Sequence, residues 1–412
     1  MKYSQLFPKT LKEAPKDEVA TNAKFLIRGG FIDKLMAGSY TLLPLGRLVE
    51  RKIEQIVREE MNATGAQEML MPLLQPKDIW NETGRWESAA EVMYKLKKDE
   101  KEYTLSFTHE EIVMDVLRKH IKSYKDLPVM PYHFSTKFRD ELRAKSGILR
   151  GREFIMKDLY SVHATEKEMW DYYWKVADAY MKVFERVGLN AIITEAAGGV
   201  FTSNKTHEFQ VESEVGEDTI YMAEGWKYAK NEEVMTEEDR QAPGLRSVKS
   251  IEVGNIFPYG QDKYSDAMNV AFTDQNGEQK LVWFGAYGIG MTRLMGVLVE
   301  KFHDDKGIIW PKAVAPYHVH LIGIMNNEVG IKEKVERVYN KLKEAGIEVL
   351  FDDREDVGAG QKFTDADLLG IPVRLVVSAK TGERIEWKDR TQDETELLSI
   401  DEVIQRLQDQ NQ

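Results

Sequence analysis

Residues 137–160 read KFRDELRAKSGILRGREFIMKDLY, and the rest of the chain is organised around this stretch. Apolar-bounded segments at residues 134–141 and 153–159 flank a loop that contains Gly147, Gly151 and several cations. Two such segments joined by a polar, glycine-containing loop are typical of a β-hairpin. The sequence therefore predicts two antiparallel strands with a basic tip.

The predicted hairpin is basic, whereas the whole chain has a net charge of −12. The cations of residues 137–157 are Lys137, Arg139, Arg143, Lys145, Arg150, Arg152 and Lys157, against three acidic residues. Either these charges only keep a hairpin soluble, or they bind a polyanion, since arginine offers a planar fork of donors that matches phosphate. Arg139 and Glu141 would share one face of a strand, which predicts a ligand with both a phosphate and an amine.

Length and composition limit the class of protein. At 412 residues the chain has room for two or three domains with a full hydrophobic core. It has no cysteine, which excludes disulfides and thiolate metal sites. No apolar run approaches the roughly 18 residues that span a bilayer, and the N-terminal segment lacks the apolar core of a signal peptide. We therefore expect a cytoplasmic protein with no membrane partner.

Three segments precede the hairpin. Apolar residues recur at helical spacing over residues 44–62 and predict a helix. The apolar residues 68–74 predict an edge strand, where Pro72 is tolerated. The lysine-rich residues 80–100 predict a solvated loop or hairpin without specific chemistry.

A helix start follows at Thr108, which is a favourable N-cap residue. Glu110 and Glu111 fall in the predicted first turn, and apolar residues continue at helical spacing. Taken alone, this pattern indicates only a capped helix whose carboxylates interact favourably with the helix dipole.

Downstream of the hairpin, residues 224–250 form a polar, charged connector. An Asn276-Gly277 pair then predicts a tight hairpin. The run GAYGIGMTR, residues 285–293, predicts a glycine-rich strand that leads into a helix. Its context excludes a dinucleotide site, which requires a βαβ unit rather than the antiparallel pattern found here. Residues 313–412 alternate between strands and helices and predict an α/β domain.

In combination these motifs resemble the class II aminoacyl-tRNA synthetases. FRDE, a loop and GREFIMKD are similar to motif 2, residues 44–74 to motif 1, and GAYGIGMTR to motif 3. The wording REF-x-MKD-x-YS-x-H resembles the bacterial-type prolyl-tRNA synthetases in particular. DDREDVGAGQKFTDADLLGIPVR, residues 352–374, resembles their anticodon-binding domain.

The resemblance implies an α+β fold with two domains. Residues 1–312 would form the catalytic domain, an antiparallel sheet flanked by helices, and residues 313–412 the α/β anticodon-binding domain. It also implies ATP and Mg²⁺ as cofactors, L-proline and tRNA(Pro) as partners, and a homodimer built through motif 1. The implied reaction attaches proline to tRNA through a prolyl-adenylate.

The family's motifs assign roles residue by residue. Arg139 would contact the ATP α-phosphate and the proline carboxylate, and Arg293 the γ-phosphate, so we expect both to be catalytic. Glu141 would bind the adenine amine, Phe154 would stack on adenine, and Arg150 would assist the phosphates. The expected ATP-binding set is Arg139, Glu141, Arg150, Phe154, Glu252 and Arg293, of which Glu252 would also hold Mg²⁺ through ATP.

The segment T-x-E-E resembles the family's proline-binding signature. Glu110 would accept hydrogen bonds from the ring amine of proline, and Thr108 would line the same pocket. His207 could donate to a substrate or have a structural role, and the sequence leaves both open. The expected proline-binding set is Thr108, Glu110, Arg139, Met156, Asp158, Tyr160 and His207.

The chain departs from the family pattern in three places. Residues 201–206 replace a small G-S-x-S run, and Asn255 stands where the usual residue is His. Many bacterial members carry an editing domain between motifs 2 and 3, whereas this chain has only the connector 224–250. The sequence therefore predicts charging without editing in cis.

Two alternatives compete with this interpretation. A threonyl enzyme uses a zinc ion held partly by cysteine, and a chain without cysteine cannot form that site. A non-catalytic paralogue that binds nucleotide or tRNA would be expected to lose a motif arginine. Both Arg139 and Arg293 are present, so the sequence favours the enzyme.

Overall fold

The computed structural model describes residues 1–141, 146–199, 202, 204–325 and 330–410. Arg143, Lys145, Phe201 and Ser203, which belong to segments discussed above, lie outside the described residues. The helices are α1 Thr21–Arg28, α2 Pro44–Ala63, α3 Lys77–Glu82, α4 Arg85–Ser88, α5 Glu110–His120, α6 Glu166–Arg186, α7 Met291–Lys301, α8 Ile331–Glu344, α9 Ala359–Leu369 and α10 Ile400–Asp409.

The strands follow the same chain order. They are β1 Ile32–Met36, β2 Ser39–Leu42, β3 Gln67–Glu68, β4 Leu74–Pro76, β5 Lys95–Lys98, β6 Lys101–Leu105, β7 Pro131–Phe138, β8 Glu153–His163, β9 Ala191–Ala197, β10 Lys205–Glu212, β11 Asp218–Met222, β12 Ala229–Asn231, β13 Arg246–Gly260, β14 Ala271–Thr273, β15 Gln279–Leu281, β16 Trp283–Gly290, β17 Val319–Gly323, β18 Val349–Asp352, β19 Val373–Val377, β20 Ile385–Asp389 and β21 Glu396–Leu398.

The chain divides into two compact units by internal packing. One unit comprises Met36–Ser39 and Ile53–Val297. The other comprises the described residues of Met1–Leu35, Tyr40–Lys52 and Leu298–Gln412. The boundary between residues 312 and 313 that the sequence suggests stays a prediction.

The first unit is built on a nine-stranded sheet in the order β10-β9-β12-β11-β13-β16-β8-β7-β3. The β7–β8 hairpin is antiparallel, and β16 pairs antiparallel with the other edge of β8. The central strands therefore come from the two motifs that the sequence singles out, 137–160 and 285–293. Together with the flanking helices, this sheet confirms the predicted α+β class.

Helix α6 packs on one face of this sheet. Its buried residues Tyr173 and Tyr180 lie against Tyr287 and Lys157, which project from that face of β16 and β8. Thr165 caps the helix and forms a capping box with Glu168. With one face covered by this helix, the alternate residues of β8 and β16 are left to form a site on the opposite face.

Several local predictions differ from the structure. Strand β7 ends at Phe138, so Arg139 and Glu141 follow the strand instead of lying on it. Helix α5 begins at Glu110 and is preceded by His109, so Thr108 is not the N-cap. Its hydroxyl instead donates a hydrogen bond to the Glu110 side chain, which a residue two positions earlier can reach.

In three segments, the secondary structure differs from the simple strand, loop or connector that the sequence predicts. Residues 68–74 form a strand only at their ends, in β3 and β4. Residues 80–100 include α4 and strand β5, and the side chains of Trp80, Arg85 and Trp86 are buried. The connector 224–250 contains β12, which pairs parallel with β9 and antiparallel with β11 inside the main sheet.

The second unit contains a five-stranded sheet in the order β18-β17-β19-β20-β21. The first three strands are parallel and alternate with α8 and α9, as the sequence predicts. Strands β20 and β21, which it does not predict, add antiparallel to the edge. The apolar core of this unit includes Val319, Leu375, Trp387 and Val403. Across the described ranges of the chain, none of the helices is both long enough and apolar enough to traverse a membrane.

Candidate active site

Two cavities that share Arg139 open on the sheet face opposite α6, beside a third cavity of about 240 Å³ that Arg139 does not line. The larger cavity has a volume of about 370 Å³ and the smaller cavity about 90 Å³. Both are lined by Arg139, Met156, Glu252, Gly290 and Arg293, so they form one continuous site with two ends.

The floor of the larger cavity follows from strand alternation. Met156, Asp158 and Tyr160 are spaced two apart on β8 and point to the cavity face. Their partners on β16 are Gly290, Gly288 and Ala286. These small residues leave the space above the strands unfilled, and the cavity occupies it.

Glu110 is a buried acid of the larger cavity, with 4% of the residue exposed. Thr108 Oγ1 donates to Glu110 Oε2 at 2.5 Å, and the Tyr259 hydroxyl donates to Oε1 at 3.3 Å. A carboxylate held by two hydroxyl donors has a fixed orientation. This end of the site therefore presents a positioned anion.

Arg85 lies behind Glu110, and the sequence gives no indication of this role. Its guanidinium contacts Glu110 Oε2 at 3.3 Å and Glu111 Oε2 at 3.0 Å, with the Arg85 side chain only 2% exposed. Burial raises the pKa of Glu111, and Arg85 opposes that rise. The guanidinium carbon lies 5.2, 5.4 and 5.6 Å from three ring centroids, those of Trp80, Phe107 and Tyr264.

Asp158 has a comparable partner in Lys137, whose ammonium contacts the carboxylate directly. His133, paired with Asp158 across β7 and β8, adds a contact of 3.2 Å between its Nε2 and Oδ2 of Asp158. Burial alone would raise the pKa of Asp158, but Lys137 and the His133 hydrogen bond hold it below its usual range. The larger cavity thus contains a second ionised carboxylate.

Arg139 lies where the two cavities meet. Its guanidinium carbon is 5.2 Å from the Phe107 ring centroid and 5.3 Å from that of Phe154, and Nε donates to the Phe107 carbonyl at 3.4 Å. An arginine between two aromatic rings is held in one orientation. It can therefore contact one ligand group in each cavity.

The smaller cavity collects the other residues of the predicted ATP set, with Glu141, Arg150 and Phe154 in its wall. Arg150 lies 2.8 Å from Glu141 Oε2 and 2.6 Å from Glu217 Oε2. Its side chain is 39% exposed. These charged groups pair with one another across a partly open surface.

Arg293, in the first turn of α7, completes this wall. It donates to the Leu149 carbonyl at 2.8 Å and contacts Glu252 Oε2 at 3.1 Å. Glu208 lies on the same side of the larger cavity and accepts from Asn255 at 3.3 Å. Burial, followed by the charge of Glu252, raises the pKa of Glu208 to about 8. The two side chains offer the carboxylate oxygens that Mg²⁺ prefers as ligands.

Two buried polar atoms in the wall of the larger cavity have no hydrogen-bond partner among the residues that the structure describes. They are the hydroxyl of Tyr160 and Oδ1 of Asn255. Burial raises the pKa of Tyr160, so its hydroxyl remains protonated. Buried polar groups are normally paired, and these two atoms fit a polar ligand in the cavity.

The structure brings together eleven of the twelve site residues expected from the sequence. The exception is His207, which does not line either cavity. Its Nδ1 lies 2.7 Å from the Tyr173 hydroxyl, and its ring packs against Trp174 and Tyr228. The adjacent Glu208 faces the cavity instead, because neighbouring residues on β10 point to opposite faces.

Five contributors to the site with a basic, acidic or imidazole side chain were not predicted in these roles. They are Arg85, His109, His133, Lys137 and Glu208. Glu208 directly follows the predicted site residue His207, and strand alternation at His207 is the one signal that points to it. For the other four, no local pattern distinguishes a buried partner from a surface residue.

Two family profiles match the chain. One is described as the tRNA synthetase class II core domain (G, H, P, S and T) and matches residues 94–302. The other is described as an anticodon binding domain and matches residues 318–410.

Relatives match over the whole chain. The proline–tRNA ligase of Anaplasma phagocytophilum is 39% identical over 430 residues, covering 99% of this chain and 100% of the relative. That of Rhizorhabdus wittichii is 38% identical over 437 residues, covering 99% and 100%. That of a Geobacillus species is 32% identical over 563 residues, covering 99% of each chain.

Solved structures share the fold. The prolyl-tRNA synthetase of Giardia lamblia in complex with prolyl-adenylate has a TM-score of 0.78 at 19% identity, covering 92% of this chain and 74% of its own. The enzyme of Cryptosporidium parvum complexed with L-proline and AMP has a TM-score of 0.78 at 18% identity, covering 98% and 78%.

Proposed function

The chain belongs to the proline–tRNA ligase family of class II aminoacyl-tRNA synthetases, and we propose a division of its site into an amino-acid end and a nucleotide end. The enzyme activates proline with ATP and transfers it to tRNA. The larger cavity is the amino-acid end, and the smaller cavity, with Glu252 and Arg293, is the nucleotide end. The observation that carries this division is Arg139, which lines both.

The reaction has two steps. An oxygen of the proline carboxylate attacks the α-phosphorus of ATP, which gives prolyl-adenylate and pyrophosphate. The terminal ribose hydroxyl of tRNA then attacks the activated carbonyl, and AMP leaves. The protein forms no covalent bond in this scheme, so its contribution is alignment of the reactants and stabilisation of charge on the phosphorus oxygens.

At the amino-acid end, Glu110 binds the secondary ammonium of proline. The hydrogen bonds from Thr108 and Tyr259 orient its carboxylate for this contact. Met156, Asp158 and Tyr160 form the pocket around the ring. The position of His207 outside the lining supports a structural role for that residue instead of a contact with proline.

At the nucleotide end, Arg139 binds the α-phosphate and the proline carboxylate together. Phe154 stacks on adenine, and Glu141 accepts a hydrogen bond from the adenine amine. Arg150 contacts the phosphates. Arg293 binds the γ-phosphate. Glu252, with Glu208 beside it, would hold the Mg²⁺ that accompanies ATP and neutralises its phosphate charge.

The division is tested by proline-dependent exchange of pyrophosphate into ATP. Glu110→Gln should raise the KM for proline and leave the KM for ATP within about twofold, because its predicted effect is confined to the amino-acid end. Phe154→Ala should do the reverse. Equal changes in both KM values for both variants would contradict the division. If no amino acid supports pyrophosphate exchange, the result would favour a non-catalytic paralogue.

We also infer that the enzyme has no editing activity in cis. The connector 224–250 is occupied by β12, short helical turns and the first residues of β13. The alignment with the Geobacillus relative is longer than that with the Anaplasma relative. Each methylene contact that alanine fails to make in a pocket for proline is worth only about 10–200-fold in discrimination. Purified enzyme should therefore form Ala-tRNA and leave it intact. Rapid hydrolysis of preformed Ala-tRNA would contradict this inference.

Motif 1 supports a homodimer. Leu70, Leu73 and Leu74 follow α2 and are 78%, 37% and 53% exposed. Clustered exposed leucines are typical of a protein interface. Leu70→Glu should shift the sedimentation of the protein from dimer to monomer, whereas a wild type that sediments as a monomer would contradict the proposal.

On the family alone, we propose a cytoplasmic location, a catalytic domain at residues 1–312 and an anticodon-binding domain at 313–412.

A further inference from the structure

A buried lysine underlies the amino-acid end. Lys137 is 0% exposed on β7, and its Nζ contacts the Asp158 carboxylate. It also lies 2.6 Å from His109 Nδ1 and 3.3 Å from His133 Nε2. Of these four residues only Asp158 lines the larger cavity. Because a buried ammonium is costly unless it is paired, its direct contact with a cavity residue indicates a role in the site.

The directions of the hydrogen bonds follow from a backbone carbonyl. His109 Nε2 lies 3.1 Å from the Pro72 oxygen, which can only accept, so Nε2 carries the proton. His109 Nδ1 is then an acceptor and receives a hydrogen bond from Lys137. Burial, followed by the Lys137 charge, lowers the pKa of His109 to about 2. The imidazole is neutral, and the lysine carries the positive charge of the cluster.

The same cluster resembles a metal site in its spacing. His109, His133 and Asp158 offer ligand atoms within 4.8 Å of one another. Lys137 Nζ lies among these atoms and contacts all three residues. Its ammonium supplies the charge that a cation would supply and repels a metal ion from the same position. The cluster is therefore centred on lysine.

We propose that Lys137 is a positioning residue for the substrate amino acid. Its ammonium keeps the Asp158 carboxylate ionised and facing the cavity. Through His109 it also fixes the backbone directly before Glu110, at the start of α5. One buried cation thereby sets the geometry of two carboxylates around the amine of proline. This inference rests on the proposed binding of that amine at Glu110.

The charges around Asp158 define what happens without the lysine. From β16 the residue opposite is Gly288, which has no charge. The titratable and charged groups that act on Asp158 include Lys137 and His133 from β7, Arg139 after that strand and His109 before α5. Lys157 and Tyr160 on β8 and Tyr180 on α6 also interact with it, and Glu110 lines the same cavity. Removal of Lys137 leaves Asp158 buried near a second carboxylate, with two imidazoles and the more distant Arg139 in place of the ammonium. Loss of the ammonium therefore raises the pKa of Asp158, because the largest opposing charge is gone while the carboxylate stays buried.

Lys137→Met tests the proposal, because methionine keeps the length of the side chain without its charge. In pyrophosphate exchange at pH 7, we expect the KM for proline to rise about tenfold while the KM for ATP stays within about twofold. The KM for proline should fall again between pH 7 and 9, as Asp158 loses its proton. A structural role alone would not produce this pH dependence.

Lys157→Met is the matched control. Lys157 is also 0% exposed, but it lies on β8 and contacts Tyr180 on the opposite face of the sheet. The charge of Lys157 also interacts with Asp158, but only Lys137 contacts the carboxylate directly. Loss of Lys157 should therefore lower stability and change the KM for proline and its pH profile far less than loss of Lys137. A similar rise in the KM for proline in Lys157→Met would show that any buried lysine has this effect, and it would overturn the proposal.

Three further outcomes decide the remaining cases. A folded Lys137→Met enzyme with the wild-type KM for proline at every pH overturns the inference, as does a stoichiometric metal ion in the purified wild type. If Lys137→Met does not fold, the double variant Lys137→Met with Asp158→Asn removes both charges of the pair and should fold. Its KM for proline should be raised and independent of pH. An unchanged KM for proline in the double variant overturns the inference. An unchanged KM for proline in Glu110→Gln instead refutes the proposed site itself.

Discussion

The two ends of the site hold their charges in different ways. At the amino-acid end, Arg85 and Lys137 lie behind the carboxylates that they neutralise, and their side chains are 2% and 0% exposed. At the nucleotide end, Arg150 and Arg293 line the cavity themselves and are 39% and 31% exposed. The first arrangement keeps its cations away from the ligand, and the second presents them to it.

The difference has a consequence for binding. A buried ion pair is stiff, because separation of its charges in a low dielectric costs several kcal/mol. A half-exposed pair contributes about 0–1 kcal/mol and separates readily. The amino-acid end is therefore formed before proline arrives. The nucleotide end exchanges internal pairs, such as Arg150 with Glu141, for pairs with phosphate.

Arg85→Met should have the largest effect. It leaves Glu110 and Glu111 buried without their cation, and loss of one partner of a buried pair costs about 3–5 kcal/mol. The free energy of unfolding should fall by that amount in denaturant titrations. The control is Arg118→Met, since Arg118 pairs with Glu82 at 29% side-chain exposure and should cost less than about 1 kcal/mol. Equal losses would mean that burial does not distinguish the two kinds of pair.

Arg139→Lys should have the next largest effect, and it affects both ends. Lysine retains the charge but loses the planar fork that stacks between Phe107 and Phe154. Loss of one such transition-state contact costs about 10²-fold in rate, or about 2.7 kcal/mol. The rate of proline-dependent pyrophosphate exchange measures it, with Arg118→Lys as the control. A decrease of less than about threefold would remove Arg139 from the centre of the reaction.

The parts of the fold that repeat a strong local pattern could be predicted from the sequence. The helix expected at residues 44–62 is α2, and the run at 285–293 is strand β16 followed by α7. The same reasoning did not predict a strand in the connector 224–250, because β12 is only three residues long and mostly polar. Such a strand is specified by its pairing with the nearby β11 and with β9, which is distant in sequence.

The site shows the same limit. The motifs predicted the residues that line the cavities, since the resemblance is carried by those residues. They did not predict Arg85 or Lys137, because arginine and lysine are normally surface residues. Each is buried by an acid from another segment: Glu110 is 25 positions from Arg85, and Asp158 lies on the opposite strand from Lys137. Only the folded chain brings these charges together.

A smaller effect is expected from pH at the amino-acid end. The pKa of His109 is about 2 when folded and about 6.5 when unfolded. Below pH 6.5 the unfolded chain therefore binds a proton that the folded chain does not. The contribution of neutral His109 to the free energy of unfolding is fully present above pH 6.5 and is lost as the pH falls below that value. Between pH 7.5 and 5.5 His109 should account for about 1.4 kcal/mol of lost stability.

His109→Gln isolates this contribution. The free energy of unfolding of wild type and variant is measured at both pH values, and the variant should lose about 1.4 kcal/mol less. Other buried histidines, such as His163 and His320, contribute equally to both proteins and cancel in the difference. Identical pH dependence in the two proteins would show that His109 is charged when folded, which the contact with Lys137 opposes.

Arg150→Ala should have the smallest effect, and it tests the nucleotide end. The pair with Glu141 is 39% and 21% exposed, so its loss should change the free energy of unfolding by less than about 1 kcal/mol. The KM for ATP should nevertheless rise several-fold, because a cation that faces phosphate is lost, and the KM for proline should not change. Glu141→Gln separates the effect on stability from the effect on ATP binding, since it breaks the ion pair but retains the charge of Arg150. If Arg150→Ala destabilised the protein as much as Arg85→Met, the nucleotide end would be as rigid as the amino-acid end, and an exchange of ion pairs on ATP binding would have no basis.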